Sequence, residues 1–193
     1  MSSIVPVAAH GRIGALVGLG VLAAGTWASS TAAGGPAVRA GATPPTIDVL
    51  FSPNGGCADR IVEEIDEAQQ RIRVQAFFFT SKPIARALVD AKDRGVDVEA
   101  IFDKSQEKQR YSRLRVLRRG GVTIRIDDEH ATANNKIILI DGKTIITGSY
   151  NFTRAAEEKN AENVLIIKDA PEAFARYRDN YKRHREHSRG YSG

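Results

Sequence analysis

Cysteine is almost absent from this chain: Cys57 is the only one in 193 residues. No intrachain disulfide is therefore possible, and the fold cannot depend on one. Acidic residues and lysine are missing from the first forty positions, which carry only Arg12 and Arg39 as charges. The apolar run Ile13–Ala24 is twelve residues long, short of the ~20 that an ordinary membrane-spanning helix needs. Arg12 precedes that run, and the small residues Ala28, Ser30, Thr31, Ala32 and Ala33 follow it. A basic start, a short apolar core and small residues read as a secretory signal over residues 1–33, cleaved between Ala28 and Ala33. An uncleaved N-terminal anchor is the alternative. The expectation is a secreted or periplasmic protein, with residues 34–46 as a linker, 47–187 as one folded domain and 188–193 as a tail.

Net charge is +5 overall. Without the two arginines of the first forty residues, 26 basic side chains face 23 acidic ones, or +3. That modest balance hides two basic runs. Lys104–Arg119 holds seven Lys/Arg against Glu107, and Arg176–Arg189 holds six against Asp179 and Glu186. One such run is commonly a solvated helix face, but two suit a polyanionic partner, either nucleic acid or an anionic lipid surface.

Strand and helix patterns alternate through the first half. Ile47–Phe51 and Arg73–Phe79 read as strands. In the second, Phe77, Phe78 and Phe79 imply a central strand covered on both faces. Cys57–Arg71 has helical periodicity, with Ile61, Ile65 and Ala68 on one face and Glu63, Glu64 and Glu67 off it. A second helix follows Thr80 or Ser81 as cap, with Pro83 in its first turn. Val96–Phe102 and Val122–Ile126 are further strands around a basic helix or loop-helix at Lys104–Arg119, and Asn163–Ile167 precedes a helix from Pro171 to about Glu186. This predicts an α/β fold: a mixed, largely parallel β-sheet flanked by helices on both faces.

The chemistry gathers in His130–Asn163. Ile137–Ile140 and Thr144–Thr147 flank Asp141-Gly142, a strong hairpin signal. A hairpin brings its far ends together, so Asn134 and Lys136 should converge with Ser149 and Asn151. One cation and several hydrogen-bond donors form a cradle for an anion such as a phosphodiester. The cradle has no obvious nucleophile. No cluster of His, Cys or carboxylates shows credible metal-ligand spacing, and His184 and His187 read as residues of a basic helix face.

Asn134-x-Lys136-x4-Asp141-x6-Gly148-Ser149-x-Asn151 resembles the phospholipase D superfamily signature His-x-Lys-x4-Asp-x6-Gly-Ser-x-Asn. The likeness extends from Ile47 to about Tyr181 and is strongest to the small bacterial endonuclease branch. The segments around Phe51, Phe79 and Asp103 have counterparts there. One position departs: Asn134 stands where the family has its catalytic His. The resemblance implies a phosphodiesterase that needs no metal or other cofactor. One His attacks phosphorus, and a second, from another motif copy, protonates the leaving alcohol. This chain carries one motif copy, which implies a homodimer with a shared site containing both Asn134 side chains. By the same resemblance the catalytic positions are Asn134, Lys136, Asp141 and Glu162. Lys136, Ser149, Asn151 and His130 are placed on the substrate, and Glu162 is the acid that would orient the family's His. Asp141, at the turn, has a structural or interface role as its alternative. The expected substrate is DNA or RNA, with phospholipid as the alternative. Because an amide neither attacks phosphorus nor carries a proton near neutral pH, catalysis is expected to be strongly impaired. The rival reading is a nucleic-acid-binding protein that keeps the pocket and has lost the reaction.

Overall fold

The structure is a computed structural model and describes residues 44–193. The signal segment and most of the expected linker lie outside the described residues. Eight strands form one sheet among these residues, in the order β1-β7-β6-β5-β2-β3-β4-β8. In chain order they are β1 Thr46–Ser52, β2 Arg71–Ala76, β3 Asp97–Asp103, β4 Thr123–Asp127, β5 Lys136–Ile140, β6 Thr144–Gly148, β7 Glu162–Lys168 and β8 Arg189–Gly190. The helices are α1 Cys57–Asp66, α2 Lys82–Asp93, α3 Leu114–Arg119, α4 Arg154–Glu158 and α5 Pro171–His187.

The mixed α/β class is as expected, but the balance of strand directions is not. Parallel pairing is confined to β2–β3 and β3–β4, the region where helices connect successive strands. The pairings β1–β7, β2–β5, β4–β8, β5–β6 and β6–β7 are antiparallel. The sheet is therefore less parallel than the early strand–helix alternation implies, because the second half of the chain folds as a meander. The expected tail is also part of the sheet. Arg189 and Gly190 pair with β4, and the Tyr191 amide donates to the Ile124 carbonyl at 3.1 Å.

The period-2 pattern of the strands divides two apolar layers. On one face Ile72, Val74, Val98, Phe102, Ile138 and Ile146 pack with Ile61 and Ile65 of α1, Leu88 of α2, and Leu114 and Leu117 of α3. On the other, Ile101, Ile137, Leu139 and Ile145 meet Tyr181, Phe174 and Tyr177 of α5. Glu99 points to this second layer and is buried, yet its charge is matched. Its Oε1 accepts from the Tyr181 hydroxyl at 2.9 Å and from Arg185 Nε at 2.7 Å. Glu64 departs from its expected solvent face. It is buried between Arg60 Nη2 and Lys168 Nζ, each 2.6 Å away.

Ser81 caps α2, its hydroxyl accepting the Ile84 amide at 3.4 Å, with Pro83 in the first turn. The basic stretch resolves into a 3-10 turn at Lys104–Glu107 and the short helix α3. No helix among the described residues is long and apolar enough to cross a membrane.

Candidate functional site

The hairpin β5–β6 forms with the register Ile137↔Thr147 through Ile140↔Thr144. Asp141 and Gly142 both take positive φ, 52° and 78°, and the Lys143 amide closes on the Ile140 carbonyl at 3.1 Å. The far ends of the two strands, Lys136 and Gly148, are thereby set side by side. Ala76, the last residue of β2, pairs with Lys136 on one side and Phe102 on the other. The carboxyl ends of β2, β3 and β4 therefore share this edge with the start of β5 and the end of β6. Loops outside the carboxyl ends of parallel strands are where open α/β sheets place their ligands.

Lys136 is half-buried at this edge. Its ammonium donates to the Asn134 carbonyl at 2.8 Å and also to the Asn134 side-chain oxygen. It stands 5.6 Å from the centre of the Phe77 ring. Burial pulls the Lys136 pKa below its ordinary value, and the negative charge of Glu162 opposes that shift. A half-buried ammonium acts on a bound anion through a field less screened than at an open surface.

Phe79 is fully buried, but Phe77 and Phe78 are not. The strand ends at Ala76, so these two rings leave the sheet and stand beside Lys136, 4.3 Å apart between centroids. The expectation of three packed phenylalanines holds for Phe79 alone. The parallel bridge Phe79↔Phe152 and the Thr80 and Ser81 amides, each 2.9 Å from the Phe152 carbonyl, tie the segment after β2 to the segment after β6.

Gly148 has φ of 151°, and a Cβ there would lie 2.2 Å from the Asn163 carbonyl oxygen. Glycine is required by that close approach. It lets the Ser149 hydroxyl accept from the Asn163 amide at 3.1 Å and from the Asn163 side chain at 3.2 Å. With both of those donors coming from Asn163, the hydroxyl proton remains available to an anion. Asn151 Oδ1 accepts the Phe78 amide at 3.5 Å, which turns the amide NH2 away from that contact. Asn163 had no assigned role in the sequence; only its distance from Gly148 across β6 and β7 reveals one.

Glu162 starts β7 and accepts from the Asn160 side chain at 3.1 Å, while its charge acts on Lys136. Asp141 lies at the opposite end of β5. Five residue steps at ~3.4 Å put it roughly 17 Å from Lys136. Its carboxylate accepts the backbone amides of Gln69, Gln70 and Arg71 at 2.7, 2.9 and 2.7 Å. Burial alone would raise the Asp141 pKa, but these three donors hold it below the ordinary value. Of the two roles left open for Asp141, the geometry displays the structural one: it ties the hairpin turn to the entrance of β2.

His130 is held by a buried carboxylate. Its Nδ1 faces Asp127, 3.0 and 3.1 Å from the two carboxylate oxygens, and its ring stacks on His184 at 4.8 Å. His184 Nδ1 and His187 Nε2 also reach Asp127, at 2.7 and 3.2 Å. The expectation that no histidine–carboxylate cluster has ligand spacing is therefore corrected. Asp127-x2-His130 and His184-x2-His187 are far apart in sequence, and the docking of α5 against β4 brings them together.

The arrangement sets an ammonium, a hydroxyl and a carboxamide, all donors suited to an anion, at one end of the sheet. It offers no nucleophile at position 134, because the amide nitrogen of Asn134 is delocalised into its carbonyl.

The chain is similar to known proteins in sequence and in fold. A family model described as cardiolipin synthase, PLD-like domain, matches residues 61–185. A phospholipase D of Rickettsia bellii is 43% identical over 124 residues, covering 64% of this chain and 62% of the relative. A mitochondrial cardiolipin hydrolase of Mus musculus is 33% identical over 110 residues, covering 57% of this chain and half of the relative. The chain thus spans less than two thirds of the length of the curated relatives it matches. Among solved structures, Nuc from Salmonella typhimurium, a phospholipase D family member, superposes with a TM-score of 0.74 at 34% identity. That match covers 78% of this chain and all of Nuc. NucT from Helicobacter pylori, at 21% identity and TM-score 0.70, shows the fold alone.

Proposed function

We propose that this chain, which belongs to the PLD-like family of the phospholipase D superfamily, is a nuclease-type phosphodiesterase whose binding half is intact and whose reaction is disabled at Asn134. The observation that carries this reading is the convergence of Lys136, Ser149, Asn151 and Glu162 at one sheet edge around a position that holds an amide. Lys136 neutralises a non-bridging phosphate oxygen, and Ser149 and Asn151 donate to the same phosphate. With one motif per chain, the complete site is built by two chains, with two Asn134 side chains facing the phosphate. The nuclease preference is supported by the basic runs of the sequence and by the likeness to Nuc over its whole length. The N-terminal sequence supports export.

A second reading keeps the same chemistry on a phospholipid. It is favoured by the half-exposed Phe77 and Phe78 beside Lys136, and by the names of the Rickettsia and mouse relatives.

The test is cleavage of DNA, RNA and cardiolipin vesicles by the chain as it stands and by Asn134→His, in buffer without added metal. General acid–base help alone is worth ~10²–10⁴-fold, so the His variant should be faster by at least that factor on its preferred substrate. Equal rates would overturn the assignment of position 134. A monomer by sedimentation, at concentrations where the His variant cleaves, would overturn the shared site.

A further inference from the structure

We propose that Asp127, His130, His184 and His187 form a structural site for one divalent transition-metal ion of the zinc type. Three of the four histidines in the chain meet there. Each of the four residues offers one ligand atom, and these atoms all lie within 4.8 Å of one another. In a tetrahedral zinc site with bonds of roughly 2.0–2.1 Å, ligand atoms stand ~3.3 Å apart. Closing the present arrangement onto an ion thus needs ring movements of about an ångström, well within side-chain rotation.

The chemistry of the donors selects the metal. Three imidazole nitrogens and one carboxylate oxygen suit zinc and its borderline neighbours, not calcium or magnesium, which take oxygen shells. Four protein ligands also fill a tetrahedron, the pattern of structural rather than catalytic zinc.

The surroundings fit the same reading. Asp127 is fully buried, whereas His130, His184 and His187 keep side-chain exposures of 44%, 14% and 23%. The anion is sheltered and an entry path remains. Glu129 Oε2 stands 3.7 Å from His187 Nδ1, the ring nitrogen opposite the one that faces Asp127. A carboxylate on the far nitrogen of a ligating histidine is the usual outer partner that sets its tautomer. The ligands are spaced i, i+3 within each segment, which puts His184 and His187 on one face of α5.

The ion would fasten three pieces of chain: the end of β4, the C-terminal turn of α5 and the loop that runs from Asp128 to Asn134. That loop is also held by Lys104, whose ammonium donates to the His130 carbonyl at 2.8 Å. The metal is therefore a staple behind the loop that carries position 134, and it takes no part in contacting phosphate.

The experiment is a zinc titration of the full chain, after exhaustive chelation, against a chromophoric competitor, with thermal melting in parallel. One zinc per chain, with a rise in Tm on adding zinc, is the expected result. Cobalt should give the visible absorption of a tetrahedral centre. His184→Ala/His187→Ala, which changes only partly exposed positions on α5, should abolish stoichiometric binding and the Tm response together. Glu129→Gln should weaken zinc ~10–100-fold while keeping the stoichiometry. Failure of the native chain to take up zinc would overturn the proposal, and so would undiminished binding by the double variant.

Discussion

The Lys136 ammonium donates to the backbone carbonyl of Asn134, two residues earlier, at 2.8 Å. The motif's cation at the mouth of the hairpin is thus held by a neighbour in the same motif. The pair keeps Lys136 aimed across the sheet edge, beside Phe77 and within the field of Glu162.

Lys136→Met is expected to weaken binding of a phosphodiester oligonucleotide about 10–100-fold, since a hydrogen bond to a charged group is worth ~1.5–3 kcal/mol. The slope of log affinity against log salt should fall by about one. Affinity measured at several salt concentrations checks both. An unchanged slope would remove Lys136 from the phosphate.

Gly148→Ala should destabilise the fold by ~2 kcal/mol or more, because the added Cβ meets backbone and not a movable side chain. The obstacle is the Asn163 carbonyl oxygen, 2.2 Å from the Cβ position. Urea unfolding measures the cost. If the variant folds, its Ser149–Asn163 contact should be displaced, and phosphodiester affinity should drop with it.

Asp141→Ala removes the acceptor for three backbone amides and should cost ~1–3 kcal/mol, comparable with a strong helix cap. The pH dependence has a definite sign. The folded carboxyl has a lowered pKa, so its stabilisation is fully present above the unfolded-state value of ~3.9 and is lost as pH falls through the lower folded value. The stability gap between the native chain and Asp141→Asn should therefore be constant near neutrality and close progressively below about pH 4. A gap that widens in acid would contradict the hydrogen-bonded carboxylate.

Glu99→Ala leaves Arg185 and the Tyr181 hydroxyl without their shared acceptor, and Arg125 without its ion-pair partner. Breaking a buried charge pair from one side typically costs ~3–5 kcal/mol. Part of that cost should be relieved here, because Arg185 is about half exposed and can turn to water. A loss of ~2–3 kcal/mol, read by denaturant unfolding, is the expectation. Release of α5 from the sheet should appear as faster amide exchange in that helix before global unfolding.

Local signals carried the sequence reading far. Period-2 and period-3.6 patterns depend on neighbours in the chain, so the strands before the C-terminal helix, the hairpin about Asp141-Gly142, a cap at Thr80 or Ser81 and the mixed α/β class were legible, whereas the short strand at Arg189–Gly190 was not. The signature from Asn134 to Asn151 was legible for the same reason: a hairpin joins residues whose separation in sequence is short. That position 134 carries an amide needed no coordinates at all.

What the tertiary structure decided depends on elements that meet across the sheet. The β5–β2 pairing places Phe77 under Lys136, and the β6–β7 pairing gives Asn163 to Ser149 and makes glycine obligatory at 148. Nothing near Asp127 announces that His184 and His187, 57 and 60 residues later, complete its surroundings. A helix face that reads as solvated in one dimension becomes a ligand face once α5 docks on the sheet. Packing, not local propensity, chooses which residues share a volume, and so it set both the mostly antiparallel order of the strands and the company that His130 keeps.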